Sequence, residues 1–231
     1  MTEPLVLLPG MACDVRLFDH QIRHLSADRA VTFCPITQSE RIEEIAQAIL
    51  PQLPARFALA GLSMGGIVAM ELMRRAPERV TRLCLMSTDA TTDTPQVAAA
   101  REPLMISARV GKLDQALAQM MRPETLAPGP GRMALLDLVR DMGLGLGPDV
   151  FVRQMKALQR RPDQQGTLRK IKVPTLILCG AHDRMTSVRR HTFLADLISG
   201  AELRVIEDAG HLPTLETPET VTEYLRGWLA V

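Results

Sequence analysis

The stretch FALAGLSMGGIVAM, residues 57–70, decides how the rest of the chain is read. Its first half is a short, unbroken apolar run, its second half carries apolar positions at helical spacing, and Ser63 stands where one period gives way to the other. Residues 61–65, GLSMG, fit the pattern G-x-S-x-G, in which a serine sits on a tight turn from strand to helix. Such a turn forces the serine backbone into a strained conformation, and side chains two residues to either side would collide, hence Gly61 and Gly65. Small neighbours let the hydroxyl stand clear of the sheet. The following amide, that of Met64, then faces any negative charge developing there, with the helix dipole behind it.

Outward from this turn, short apolar runs alternate with longer amphipathic ones, the pattern of a parallel sheet covered on both faces by helices. PLVLL (4–8), AVTFCPI (30–36), RFALAGL (56–62), VTRLCLMST (80–88) and VPTLILCG (173–180) read as strands, and AELRVIE (201–207) as a more polar strand near the sheet edge. Between them, residues 14–26, 41–53 and 65–80 carry helical periodicity, the second of these with Ser39 as its expected cap and Glu43 and Glu44 in its first turn. A closing helix begins at Thr217, its expected cap, and Pro218. From 89 to 172 the strand signal disappears: the segment is helix-like, broken by APGPGR (127–132) and GLGLGPD (143–149). The reading is one α/β core, residues 1–88 and 173–231, with a helical lid, residues 89–172, inserted into it.

The chain has 231 residues, 46% of them hydrophobic, enough for one domain with a sizeable core. With 27 basic and 26 acidic residues its formal charge is +1, which offers no reason to expect nucleic acid or an anionic membrane surface as partner. Small-molecule substrates are the default, and a monomer or homodimer is expected. The four cysteines, Cys13, Cys34, Cys84 and Cys179, are widely spaced and suit reduced, packed thiols better than a disulfide frame or a zinc site. No metal and no cofactor is expected. MTEPLVLLPG lacks the basic start and long apolar run of a signal peptide, and no segment is long enough to cross a bilayer, so a cytoplasmic location is the default expectation.

A serine hydroxyl is a poor nucleophile until a base takes its proton. Of the five histidines, His20, His24 and His191 fall on helix-like stretches, and His182 lies in the loop with Asp183. Only His211 sits in a glycine-marked loop directly after a strand, in VIEDAGHLPTLETPE. A carboxylate must hold that base in the right tautomer. Asp183, in LILCGAHDRMTS after a strand, is preferred because the order Ser, Asp, His suits this architecture. Asp89, in the loop after LCLMST, and Asp208, three residues before His211, are its rivals.

On VLLPG, LAGLSMGGIVAMELMRRAPERVTRLCLMST, VPTLILCGAHDRMTS and EDAGHLPTLETPE the chain resembles the α/β-hydrolase fold superfamily. Within it the likeness is to the capped, single-domain carboxylesterases related to the pimeloyl-carrier-protein methyl ester esterase and to bacterial C–C bond hydrolases. It covers essentially the whole chain and is weakest in the lid. The resemblance implies Ser63 as nucleophile, Asp183 as acid, His211 as base, and the backbone N–H groups of Met11 and Met64 as oxyanion hole. Where most relatives carry His-Gly after the first strand shown here, this chain has Pro9-Gly10. It also begins at what corresponds to the family's third strand, which implies a sheet of about six mostly parallel strands.

The lid segment is rich in leucine and methionine; Met11 and Met64 are expected to flank the nucleophile, and Met185 follows Asp183 by two positions. Methionines are adaptable liners, so an apolar acyl or alkyl group is the expected ligand. Aromatic residues are 3% of the chain, too few for a site built on stacked rings. Most of the lid's apolar residues are expected to pack on the sheet, and its arginines, Arg101, Arg109, Arg122, Arg132, Arg140 and Arg153, to form a solvated face. The expected activity is hydrolysis of carboxylic esters of small to medium, largely apolar substrates. A C–C bond hydrolase or thioesterase on the same residues, or a ligand receptor without turnover, are the other readings.

Overall fold

Leu5 and Leu7 pack to one side of their strand with Ala58, Ala60 and Cys84, whereas Val6 and Leu8 pack to the other with Leu59, Leu83 and Ile177. Successive side chains of a strand point to opposite faces, so a strand buried on both faces needs apolar residues at every position. That is why these segments read as unbroken runs and not as alternation. The computed structural model describes residues 2–230. Its strands are β1 (Leu5–Leu8), β2 (Val31–Phe33), β3 (Phe57–Leu62), β4 (Val80–Met86), β5 (Thr175–Gly180) and β6 (Glu202–Ile206). They form one six-stranded sheet in the order β2-β1-β3-β4-β5-β6, with every neighbouring pair parallel. The half-polar β6 is an edge strand, as its composition implies.

The first helices are α1 (Asp19–Leu25), α2 (Ile42–Ile49) and α3 (Met64–Arg75). Between β4 and β5 come α4 (Pro95–Ala100), α5 (Glu102–Arg109), α6 (Leu113–Met120), α7 (Arg132–Leu146), α8 (Pro148–Gln159) and α9 (Gln165–Leu168). After β5 follow α10 (Val188–Leu197), α11 (Pro213–Glu216) and α12 (Pro218–Ala230). One face of the sheet is covered by α1 and α12 through Leu25, Val221, Leu225 and Trp228, the other by α2 and α3 through Ile42, Ile45, Ile49 and Val68.

The insertion leaves and rejoins the core at one neck, where the Gln164 amide donates to the Ala90 carbonyl at 2.8 Å. Gln164 is anchored in turn on α3, its side-chain nitrogen donating to Glu71 at 2.9 Å. Burial raises the pKa of Glu71, but hydrogen bonds from Arg74, Arg75 and Gln164 outweigh it and hold the carboxyl below the ordinary glutamate range. The neck therefore rests on a buried, charge-paired carboxylate.

Three local expectations are corrected. Ser39 does not cap α2, which begins at Ile42 after an extended Arg41 with no side-chain cap. The Ser39 hydroxyl bonds Glu44 instead, while Glu40 is drawn to Lys156 on α8 and to Arg160 just beyond it, a tertiary pairing that the local pattern does not reveal. Thr217 does not cap α12 with its hydroxyl, which donates to the Pro213 carbonyl; its own carbonyl accepts from Val221. The glycines at 143–147 do not form an extended break. Helix α7 runs through Gly143 and Gly145 to Leu146, and the turn is made at Gly147 alone, with φ 85°. Gly143 serves packing: a Cβ there would lie 2.5 Å from the Leu117 side chain of α6.

Candidate active site

Among the described residues, the non-glycine positions with positive φ are Ala12 (57°), Ser63 (53°) and Ser87 (45°). They follow the C-terminal ends of β1, β3 and β4, so backbone strain is concentrated on one rim of the sheet. The chain steps from β1 outward to β2 and then returns to β3 on the other side of β1, and the rim between β1 and β3 is the topological switch point where ligands of open α/β sheets bind.

The elbow at Ser63 has the steric basis anticipated from its glycines. A Cβ on Gly61 would lie 2.3 Å from the Gly65 carbonyl oxygen, and one on Gly65 would lie 2.2 Å from that of Leu8. Thr88, in the loop after β4, braces the turn by donating its hydroxyl to the Ser63 carbonyl at 2.7 Å. The His211 loop is held as firmly. The Glu216 carboxylate accepts from the amides of Gly210, Leu212 and Ala127, and the His211 amide donates to Thr125 in the insertion. Gly180, at the end of β5, allows this loop to approach, since a Cβ there would meet the Ala209 carbonyl oxygen at 2.2 Å.

Ser63, His211 and Asp183 form one hydrogen-bonded series. His211 Nε2 is 3.0 Å from Ser63 Oγ, and His211 Nδ1 is 2.9 Å from Asp183 Oδ2. Asp183 Oδ1 accepts from the amides of Met185 and Thr186, and Oδ2 also from the Thr186 hydroxyl. Burial raises the Asp183 pKa, but the charge and hydrogen bond of His211, with the Thr186 amide and hydroxyl, outweigh it and hold the carboxyl below its ordinary range. Asp183 is thus an anion throughout the range in which imidazoles titrate.

The rivals are engaged elsewhere. Asp89 accepts from Thr91 and pairs with Arg190, and Asp208 is exposed in the turn after β6. The buried His191 is committed too, its Nε2 accepting from the Thr88 amide and its Nδ1 donating to the Ser187 carbonyl; burial depresses its pKa and keeps it neutral. His20 and His24 stack on each other on α1, at a ring separation of 3.9 Å. All four cysteines are buried and free, and burial pushes the Cys13 thiol up to about 12 and the Cys34 thiol to about 11. None of these thiols is a nucleophile at neutral pH.

Met11 follows the β1 turn, and Met64 opens α3. Within the described residues neither amide has a protein acceptor. The next amide, that of Ala12, donates to Gln154 Oε1 at 2.9 Å, and Gln154 Nε2 donates to the Ile36 carbonyl at 3.1 Å. A buried glutamine of α8 thus fixes the left-handed turn that carries Met11. Sequence reasoning missed Gln154, although a signal existed: it is a polar residue on the face of α8 that buries Phe151, Met155 and Leu158.

These groups open into a cavity of about 250 Å³, lined from the core by Met11, Ser63 and His211 and from the insertion by Val97, Met120, Met121 and Leu158. Met185 lines it as expected, whereas the Met64 side chain does not. Most apolar residues of the insertion pack away from it, Met105, Leu117 and Met142 in the interior and Ile106 and Met133 at the surface. Of the arginines singled out in the insertion only Arg101 reaches the cavity; Arg161 and Arg190, which sequence reasoning passed over, line it as well.

A parallel sheet that holds a serine on a strained strand-to-helix elbow, with a loop histidine donated from beyond the last strand, is the architecture of hydrolytic enzymes of the α/β class. The comparisons with known proteins agree. The chain belongs to the alpha/beta hydrolase family, whose model matches residues 5–224. A pimeloyl-[acyl-carrier protein] methyl ester esterase of Neisseria meningitidis is 26% identical over 98% of this chain and 93% of its own length. Another of that name from Aromatoleum aromaticum is 29% identical over 77% of this chain and 76% of its own. Among solved structures, a thermophilic esterase from Thermogutta terrifontis superposes with a TM-score of 0.90 at 27% identity, covering 100% of this chain and 90% of that one. Among the described residues no helix is long and apolar enough to cross a membrane, and no cluster of three or more His, Cys, Asp or Glu side chains is arranged to hold a metal ion.

Proposed function

We propose that this protein is a serine hydrolase that cleaves carboxylic esters of small to medium acyl groups through an acyl-enzyme. The observation that carries this reading is the unbroken series from Asp183 through His211 to Ser63, ending in a cavity. The esterase names of the relatives and of the Thermogutta structure support the choice of esters.

Ser63 Oγ attacks the ester carbonyl carbon as its proton passes to His211 Nε2, and Asp183 stabilises the imidazolium. The carbonyl oxygen, now an anion, accepts from the amides of Met64 and Met11. Collapse expels the alcohol, which takes the proton back from His211. Water then attacks the acyl-enzyme with His211 as base, and release of the acid restores Ser63. Residues 89–172 act as a lid, opening at the Gly129–131 loop and at Gly147 to admit substrate. The test is a fluorophosphonate probe with a p-nitrophenyl ester series run beside a ring-cleavage dienoate. Labelling of Ser63 and turnover of the esters are expected; turnover of the dienoate alone would favour a C–C hydrolase, and no labelling of the native protein a receptor.

Gln154 enters this reading as the residue that keeps the Met11 amide aimed. Gln154→Met removes both its hydrogen bonds while roughly conserving shape and should lower kcat by about tenfold to a hundredfold with little change in KM, because the oxyanion exists only beyond the ground state. Gln154→Glu retains the acceptor for the Ala12 amide and should recover part of the loss. Steady-state kinetics on both variants check this; equal losses in the two would show that Gln154 acts only through packing.

A further inference from the structure

His191 has no part in the proposed chemistry, yet it is fully buried on α10, where an apolar side chain would avoid the cost of taking an imidazole out of water. Both its ring nitrogens are engaged. Nδ1 donates to the Ser187 carbonyl at 3.0 Å, and Nε2 accepts from the Thr88 amide at 3.0 Å. That amide needs a side-chain acceptor because the ladder between β4 and β5 ends one residue earlier, where the Ser87 amide donates to Leu178 and the chain turns at φ 45°. Arg190, the neighbour of His191, pairs with Asp89, so α10 grips the loop after β4 at two successive residues. Thr88 passes this support on to the elbow. Its hydroxyl donates to the Ser63 carbonyl at 2.7 Å, and its side chain packs so closely on α3 that a Cβ on Gly66 would lie 2.7 Å from it.

We infer that His191 is a positioning residue for the oxyanion hole, acting through Thr88 on the Met64 amide. The Ser63 carbonyl and the Met64 N–H belong to one planar trans peptide and point in opposite directions, so a bond that fixes the carbonyl also fixes where the N–H is aimed. The carbonyl accepts from the amides of Gly66 and Ile67 within its own helix turn, and the Thr88 hydroxyl ties it to the rest of the core. A neutral imidazole with its hydrogen on Nδ1 is required, since only then does Nε2 accept from the Thr88 amide. The aim of the Met64 amide is thus set through Thr88 and His191, as that of Met11 is set through Gln154. Such aim matters most in the transition state, because the charge that the amide meets develops only there. The inference rests on the hydrolase reading of Ser63 and adds to it the residues that orient the second oxyanion donor.

Two substitutions of His191 separate the bonds it makes. Glutamine can place its amide oxygen near the position of Nε2 and still accept from the Thr88 amide, whereas asparagine, one methylene shorter, keeps only the bond to Ser187. His191→Gln should retain most of the wild-type kcat, while His191→Asn and Thr88→Val should each lower it by about tenfold with little change in KM. Inhibition by a trifluoromethyl ketone, whose hemiketal with Ser63 places an oxyanion in the hole, should weaken by the same factor. Titration with a fluorophosphonate counts the competent sites first, so a merely structural defect would lower the titre and leave kcat per site and the inhibition constant unchanged. Thr88→Val asks the same question should the His191 variants not fold. Equal losses in His191→Gln and His191→Asn, or an inhibition constant unchanged in Thr88→Val, overturn the positioning role. If the wild-type enzyme is labelled at Ser63 and cleaves esters, those outcomes sink this role alone; if it is neither labelled nor active, the hydrolase reading fails and the role with it.

Discussion

Ser63→Ala should lower kcat/KM for p-nitrophenyl acetate by about 10⁵-fold or more, because removal of a nucleophile from a unit of this kind leaves only binding and oxyanion stabilisation. The fold should survive. Alanine keeps the Cβ, and the brace from Thr88 runs to the backbone carbonyl of residue 63, not to its side chain. Far-UV circular dichroism and a melting temperature close to that of the wild type would check the second half of the expectation. A companion variant separates chemistry from strain. Residue 63 sits at φ 53° and ψ −114°, a conformation that L side chains rarely adopt, so Ser63→Gly should be as inactive as Ser63→Ala yet more stable than it by about 1 kcal/mol. Residual activity in Ser63→Ala above about one hundredth of wild type would remove Ser63 from the proposed role.

Asp183→Asn should cost about 10⁴-fold in kcat, for a reason the local geometry makes specific. The oxygen that accepts from the Met185 and Thr186 amides must remain an oxygen in the variant, which turns the new NH₂ group toward His211 Nδ1. Nδ1 then accepts a hydrogen bond where it should donate one, Nε2 carries the ring hydrogen, and the ring offers Ser63 no lone pair. The geometry of the site is retained while its tautomer is wrong, so KM should change far less than kcat. Asp89→Asn is the control for the rival assignment. Its carboxylate bonds Thr91 and Arg190, and its loss should fall at least about a hundredfold short of that in Asp183→Asn. If the order is reversed, the acid lies on the β4 loop.

The features legible in the residues alone are those that short-range stereochemistry dictates. The turn at Ser63 follows from Gly61 and Gly65 because the collisions that exclude side chains there involve backbone atoms within a few residues or on the adjacent strand. The strands are legible because burial on both faces demands apolar residues at every position, and the polar content of β6 marks it as an edge for the same reason. His211 stands out because it follows a strand in a glycine-marked loop. The helical character of 89–172 is equally local, whereas the single turn at Gly147 is not, since Gly143 is explained only by Leu117 on a neighbouring helix.

Sequence by itself therefore determined the layered α/β class, the six strands and the elbow that presents Ser63. Only the tertiary structure decided which carboxylate meets His211, since both Asp183 and Asp89 end strands on the same rim and differ in the partners that packing brings to each. It also decided that Glu40 leaves the start of α2 for α8, that Gln154 holds the turn at Ala12 across 142 residues, and that Arg101, Arg161 and Arg190 converge on two aspartates of the β4 loop. The physical reason is one of range. Periodicity and turn chemistry are written in neighbouring residues, but a charge or a hydrogen bond in a cavity wall is defined by helices that meet only after the chain has folded, and no local pattern carries that information.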